Sequence, residues 1–215
     1  MTVHEYIRDS IIGIETPILV NIGAERGDGE TTDFCTVAPH GKVYSIEADP
    51  RTYALLEPRM NQFPNLKTFN IAIANKNEMT TFYLSGGPNP AEPYHPWTSA
   101  SNLFSRERDH SGNYYPWMTS EPIQVQCRTL DSWAEENGVD HIDFLWVDIE
   151  GATHLLIEGG QNILAKTKWF YTEAFDWQRY DGEGLKKDII ALVPNFELVA
   201  DYGNDVLLKN KVYNA

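Results

Sequence analysis

The sequence predicts an α/β fold, an open and mostly parallel sheet with helices on both faces, built from 215 residues as one domain. Apolar, β-branched runs alternate with segments of helical spacing along most of the chain. The run Ile142–Val147 is nearly all apolar, as a central strand covered on both faces must be. The last two strand-like runs flank the turn Tyr202-Gly203-Asn204-Asp205, so the chain ends on an antiparallel pair. A terminal hairpin suits an open sheet better than a closed barrel.

The elements follow in order. Ile18–Ile22 is the first strand, and a glycine-bearing turn leads from it into a helix over Thr31–Ala38. Gly41–Ile46 is the second strand. Pro50 fits the first turn of a helix, where its missing N–H would be unpaired anyway, and opens Arg51–Gln62. Leu66–Ile71 is a third strand, and weak alternation over Thr80–Leu84 suggests a further strand of the same sheet. Ile123–Cys127 is a short strand with Leu130–Asn137 as its helix. The central strand Ile142–Val147 is followed by the helix Thr153–Leu164, with Leu155, Leu156, Ile163 and Leu164 inward. Then come the strand Trp169–Thr172, the helix Lys186–Leu192 and the closing strands Phe196–Ala200 and Val206–Lys209.

Residues 85–122 break this rhythm. They hold Gly86-Gly87-Pro88-Asn89-Pro90, Pro93-Tyr94-His95-Pro96-Trp97 and Tyr114-Tyr115-Pro116-Trp117. A connection this long inside a domain is either functional or disordered, and disorder has no use for so many aromatics. An inserted flap over the carboxyl edge of the sheet is expected. Aromatic faces with polar tips suit a sugar or another flat amphipathic substrate, so Trp97 and Trp117 are candidate substrate contacts. Aromatics that only staple the loop down, or form a homodimer contact, fit the composition equally. Arg106 offers a rigid donor fork to a substrate anion, although pairing with Glu107 or Asp109 is the commoner fate of such a residue.

Thirty-one acidic residues against seventeen basic give a net charge of −14. Such a surface repels phosphate backbones, so nucleic acid is not the expected partner. No apolar stretch approaches the roughly twenty residues that cross a bilayer, and the first ten residues are too polar for a signal peptide. Cys35 and Cys127 make neither a disulfide framework nor a zinc site. A cytoplasmic protein without a membrane partner is expected.

The chemistry concentrates at strand ends. Gly23, Gly27 and Gly29 lie in Asn21-Ile-Gly-Ala-Glu-Arg-Gly-Asp-Gly-Glu30, and Glu47 closes the second strand. Glycines let the backbone turn sharply and approach a ligand, and a carboxylate at the second strand end can accept both hydroxyl hydrogens of a ribose. Together they describe a pocket for a nucleoside-containing cofactor. A dinucleotide fingerprint, Gly-x-Gly-x-x-Gly, would seat a pyrophosphate on a helix N-terminus. The spacing here differs, and Glu25 and Asp28 crowd carboxylates where the pyrophosphate would lie. S-adenosylmethionine has no phosphate and carries a positive sulfonium and ammonium, so an acidic loop tolerates it.

Five segments, Asn21-Ile-Gly-Ala-Glu-Arg-Gly27, Ser45-Ile-Glu-Ala-Asp-Pro50, Asn70-Ile-Ala-Ile-Ala-Asn75, Arg128-Thr-Leu-Asp-Ser-Trp133 and Trp146-Val-Asp-Ile-Glu-Gly-Ala152, resemble the FkbM-type S-adenosylmethionine-dependent methyltransferases. The resemblance runs from about Leu19 to about Tyr171, apart from most of the flap. It implies a Rossmann-like class I methyltransferase with a seven-stranded sheet whose last strand is antiparallel. It also implies methyl transfer, commonly to a hydroxyl of a sugar or secondary metabolite. Asn21 stands where the family often has aspartate, Glu25 where it has asparagine, Trp146 where it has lysine, and Thr153-His154 where a glutamate usually follows Ala152.

Open α/β sheets bind ligands at the carboxyl ends of their strands, which assigns roles. Gly23, Ala24 and Gly27 are expected against the methionine part of the cofactor, with Asn21 and Glu25 beside them. Glu47 and the adjacent Ala48 are expected at the ribose, Ala72 and Ile73 at the adenine. Plainer roles compete: a tight turn, a cap for the helix at Pro50 (which Asp49 also suits), or simple packing. Asp148 ends the central strand, solvated at the cleft, where it can face the sulfonium and receive an acceptor proton. Glu150, Glu173 and His154 are the other catalytic candidates, with His95 and His110 also near the cleft; Glu150 equally suits a helix cap and His154 a helix surface. Asp148, Glu173 and Asp176 offer the oxygen ligands that magnesium or calcium prefers, without strict spacing. Trp177 and Arg179 are expected to wall the acceptor pocket, Trp177 equally as a core residue. A nicotinamide-dependent oxidoreductase or epimerase on a sugar nucleotide, and a non-catalytic nucleoside-binding domain, are the competing functions.

Overall fold

A computed structural model describes residues 2–86, 100–104, 111–113 and 119–213. In chain order the elements are α1 (Val3–Ser10), β1 (Ile18–Ile22), α2 (Glu30–Val37), β2 (Lys42–Ile46), α3 (Pro50–Leu56), β3 (Leu66–Phe69), β4 (Ala72–Ala74), β5 (Met79–Gly86) and β6 (Thr119–Thr129). They continue as α4 (Leu130–Glu136), β7 (Ile142–Val147), α5 (Thr153–Glu158), α6 (Gln161–Leu164), β8 (Thr167–Glu173), α7 (Lys186–Leu192), β9 (Phe196–Asp201) and β10 (Asp205–Asn210).

The main sheet has seven strands in the order β3-β2-β1-β7-β8-β10-β9. β1 pairs in parallel with β2 on one side and β7 on the other, and the remaining early pairs are parallel too. β10 runs antiparallel between β8 and β9, because the Tyr202–Asp205 turn folds it straight back on β9. This is the class I methyltransferase arrangement that the resemblance implies. The order reverses between β1 and β7, so a crevice opens where Ile22 and Val147 end.

Strand alternation sends side chains to two apolar layers. Val20, Leu145, Val147 and Phe170 face α4 to α6, and Leu19, Phe144, Trp146 and Tyr171 face α1 and α2. Trp146, at the position where the family carries lysine, is buried and stacks on Tyr171 with ring centres 4.0 Å apart.

Several expected elements differ. Thr80–Leu84 is a strand but not one of the main sheet: β5 lies antiparallel to β6, and β6 parallel to β4, in a separate three-stranded sheet. Its departure begins after Phe69, where the Asn70 amide donates to the carbonyls of Glu47 and Ala48 and turns the chain off the sheet, so Leu66–Ile71 is not one strand. The helix expected over Arg51–Gln62 is α-helical to Leu56 and continues as a 3-10 turn over Glu57–Asn61, since Pro58 has no N–H to donate. Thr153–Leu164 is two helices. A Cβ on Gly159 would lie 2.2 Å from the Ala74 carbonyl oxygen, and the chain bends there. Asp131 then caps α6 from a distance, accepting from the N–H groups of Asn162 and Ile163 at 3.1 and 2.8 Å. α1 was not expected, although Thr2-x-x-Glu5 forms a reciprocal capping box. β5 runs to Gly86 and β6 begins at Thr119, so the insert is shorter than residues 85–122 by its first two and last four.

Candidate cofactor and acceptor site

The crevice is built where β1 and β7 stop together, the Asp148 N–H donating to the Ile22 carbonyl at 2.9 Å. Gly23 follows with φ +84, and a Cβ there would lie 1.7 Å from the Asp148 carbonyl oxygen, so only glycine lets the two strand ends meet. The N–H groups of Gly23 and Ala24 both donate to the Ile46 carbonyl, at 2.9 and 3.0 Å, and tie the turn to β2. Gly27 closes it with φ +70, against Leu56 and Arg59. Glu25 and Glu150 both adopt φ 50, unusual for residues with side chains. Both flank the crevice, as strained residues at functional sites often do.

Glu47 is held from both sides. Its Oε2 accepts from the Glu25 N–H and its Oε1 from the Asp49 N–H, each at 2.7 Å. Burial pushes its pKa up to about 7, against the pull of those two amides. The Thr52 hydroxyl hydrogen-bonds the same carboxylate, so of its about four lone-pair sites at least one remains for a ligand.

These groups share one cavity of about 690 Å³, its mouth included. Gly23, Glu25, Glu47 and Ala48 form one side, with Ile46 and Ile71 to Ile73 as an apolar wall and Asp148 and Glu150 at the far end. Asp148 is exposed to the cleft. Enclosure by the cleft walls, then the charges of Glu173 and Asp205, push its pKa up, while Arg179 opposes the shift. Solvent still reaches this carboxylate through the mouth, and a bound ligand would complete the enclosure.

Behind Asp148 lies a charged knot. The Arg179 guanidinium is 4% exposed and pairs with Glu150 at 3.1 Å, Glu173 at 2.6 Å and Glu183 at 3.1 Å. Its charged plane lies 3.8 Å from the centre of the Phe175 ring. Burial works against its charge, but the three carboxylates hold it firmly protonated. Glu183 also accepts from the backbone N–H groups of Arg179 and Tyr180, and the Tyr180 hydroxyl donates to Glu150 at 3.1 Å. Glu173 is raised by burial and by Glu150, and lowered by Arg179.

The sequence candidates therefore separate. Gly23, Glu25, Glu47, Ala48, Ala72, Ile73, Asp148 and Glu150 line the cavity. Ala24 and Gly27 shape the turn behind it. Asn21 is buried on the α2 side, donating to Thr31 at 3.0 Å, and its carbonyl oxygen has no partner among the described residues. The Nδ1 of His154, at the start of α5, accepts from the Gly184 N–H at 3.1 Å, tying that helix to the loop before α7 rather than lining the cavity. Arg179, expected as an acceptor-pocket wall, instead spends its donors on glutamates. Trp177 is half-buried, edge-on to Phe175. The expected acidic trio does not assemble as such: Asp176 turns to Lys186 at 3.4 Å, and Glu150 takes its place beside Asp148 and Glu173. Trp97, Trp117, Arg106, His95 and His110 lie outside the described residues. Sequence reasoning missed Glu183, for which the Asp181-Gly182 turn was the available signal, and Ser101 to Leu103, for which there was none.

The residues present fit S-adenosylmethionine. A buried carboxylate with spare lone pairs faces the cavity for a ribose, an apolar wall adjoins it for a purine, and the far end is acidic, suiting a sulfonium. A pyrophosphate would meet Glu25 and Asp148 instead.

Comparison with known proteins agrees. A family model described as the methyltransferase FkbM domain matches residues 21–205. The chain is 31% identical over 205 residues to the 2-O-methyltransferase NoeI of Sinorhizobium fredii (strain NBRC 101917 / NGR234), covering 94% of this chain and 82% of that protein. Among solved structures it is similar to methyltransferase FkbM from Methylobacillus flagellatus KT, with a TM-score of 0.54 and 12% identity over 96% of this chain, which spans 50% of the length of that one. It is also similar in fold to a Staphylococcus aureus protein assigned as a caffeoyl-CoA O-methyltransferase, with a TM-score of 0.53 and 8% identity, covering 97% of this chain and 82% of that one.

Proposed function

The chain belongs to the methyltransferase FkbM domain family and is an S-adenosylmethionine-dependent methyltransferase, and from that premise we propose that its acceptor is a hydroxyl oxygen on an uncharged sugar, glycan or small metabolite. The observation that carries this reading is the set of carboxylates at the inner end of the cleft. One oxygen each from Asp148, Glu150 and Glu173 lies within 4.8 Å of the others. A hydroxyl donates to such groups, whereas a phosphate or carboxylate acceptor would be repelled by them. The name of the Sinorhizobium relative, a 2-O-methyltransferase, supports oxygen as the acceptor atom.

S-adenosylmethionine, when bound, supplies a methyl group on a positively charged sulfur. Glu47 would hold the ribose, and the Gly23–Gly27 turn would bring the backbone against the methionine part. Asp148 takes the acceptor proton: it is open to the cleft, and its raised pKa brings its basicity toward the working range of a catalytic base. With the donor bound, Asp148 would hold the proton that the acceptor hydroxyl gives up. Glu150 and Glu173, fixed by Arg179, orient the acceptor's other hydroxyls. Arg179 is already the counter-ion of this cluster, so we propose a reaction without a divalent metal. Free, buried Cys35 and Cys127 suit a reducing cytoplasm.

The test pairs calorimetry with methyl transfer. S-adenosylmethionine and S-adenosylhomocysteine should bind and NAD should not. Labelled methyl should pass to neutral glycosides in preference to their phosphorylated counterparts. Tight NAD binding, or transfer confined to amines, would sink the reading.

A further inference from the structure

The cavity has one wall that the sheet does not supply. Ser101, Asn102 and Leu103 belong to the insert, yet they line the same space as Glu47, Ala72 and Ile73. Leu103 packs on the apolar cluster of the small sheet, with Ala72 and Phe82.

This short segment is built in. Asn102 bridges to β5 through both backbone groups, its N–H and carbonyl bonding Tyr83 at 3.0 and 2.8 Å. Its side chain accepts from the Phe104 N–H at 2.5 Å and donates to the Ala100 carbonyl at 2.8 Å, which fixes the turn. Ser101 donates to Asp49 at 2.8 Å and accepts from the Ser85 N–H at 2.9 Å. Arg51 reaches the Ser85 carbonyl at 2.8 Å and Asp49 at 2.6 Å. Asp49 is the residue whose own N–H holds Glu47. The segment is therefore bonded to the turn that carries Glu47, and Leu103 extends the apolar lining that Ala72 and Ile73 begin.

We propose that Leu103 is a cofactor-binding residue that closes the nucleoside slot alongside Ala72 and Ile73, with Ser101 as the positioning residue that seats it. The proposal rests on the methyltransferase reading. It assigns part of the insert to the cofactor, and it places the next residue, Phe104, on the acceptor side. Phe104 stacks on Tyr180 with ring centres 5.6 Å apart, and Tyr180 bonds Glu150.

The experiment is calorimetry with S-adenosylhomocysteine and with 5′-methylthioadenosine, which shares the nucleoside and lacks the amino-acid part. Leu103→Ala should weaken both ligands by the same factor, roughly tenfold, which corresponds to about 1.4 kcal/mol of apolar contact. Leu103→Met should restore most of the affinity. Ser101→Ala, which keeps Leu103 but loosens its seat, should weaken both ligands severalfold and speed hydrogen exchange at the Asn102 amide in the free protein. Unchanged affinity in both Leu103→Ala and Ser101→Ala overturns the assignment, as does a loss confined to S-adenosylhomocysteine. Should the wild-type protein bind neither ligand, the methyltransferase reading falls as well; should it bind both while the variants match it, only the insert wall falls.

Discussion

Replacing Glu47 by Gln perturbs the ribose site without changing its size. Of the roughly four lone-pair sites of the carboxylate, two accept the Glu25 and Asp49 N–H groups, each at 2.7 Å. The Thr52 hydroxyl takes a third, and what remains is left for the ribose. A glutamine offers one acceptor oxygen, and its amide N–H₂ then faces one of those backbone donors. At least one charge-assisted hydrogen bond to the ligand is lost, worth about 1.5–3 kcal/mol. Binding of S-adenosylhomocysteine should fall roughly ten- to one-hundred-and-sixty-fold. The pH dependence gives an independent check. With a pKa near 7, Glu47 is about nine-tenths ionised at pH 8 and about one-tenth at pH 6, so wild-type affinity should drop roughly ninefold between them. The glutamine variant should lose most of that slope. Folding stability runs the opposite way. A carboxyl whose folded pKa is raised stabilises the protein below its unfolded pKa, and that contribution is lost as pH rises from about 4.5 through 7. Calorimetry from pH 6 to 8 with both proteins reads the affinity. If the variant binds within threefold of wild type, or keeps the full pH slope, Glu47 does not hold the ribose.

Arg179→Met leaves Glu150, Glu173 and Glu183 facing one another without their cation, and should cost about 3–5 kcal/mol by urea unfolding at pH 8. The loss should shrink at pH 6, because the Glu173 carboxyl, whose folded pKa is raised, regains its proton there; an equal loss at both values would refute the knot's role. Gly23→Ala has no room for its methyl against the Asp148 carbonyl and should abolish cofactor binding and lower the thermal midpoint by many degrees. Asp148→Asn should reduce methyl transfer by about a hundredfold or more while leaving S-adenosylhomocysteine affinity within a few fold. Treatment with EDTA should leave turnover of the wild-type enzyme unchanged, and restoration by magnesium after a loss would show that Arg179 does not suffice as counter-ion.

The regular part of the fold was legible because its signals are local. A strand such as Ile142–Val147 announces itself by being apolar along its whole length, and its bounds match the structure residue for residue. The glycine turn and Glu47 were legible because chain direction alone puts them at the carboxyl ends of β1 and β2. Where a bond from elsewhere decides the path, the sequence misleads. Asn70 turns the chain into a second sheet, and Gly159 breaks a helix against Ala74.

The sequence by itself determined the family, the core strands of the main sheet and the glycine turn at the carboxyl end of β1, since each is written in spacing over a few residues. Only the tertiary structure decided what Arg179, His154 and Leu103 do. Arg179 meets Glu150 across 29 positions, and Leu103 reaches Ala72 from inside an insert of no regular period. No local rule ties such partners together. Which carboxylates crowd a guanidinium, and which leucine faces a cavity, depends on how the layers pack once the strands have paired.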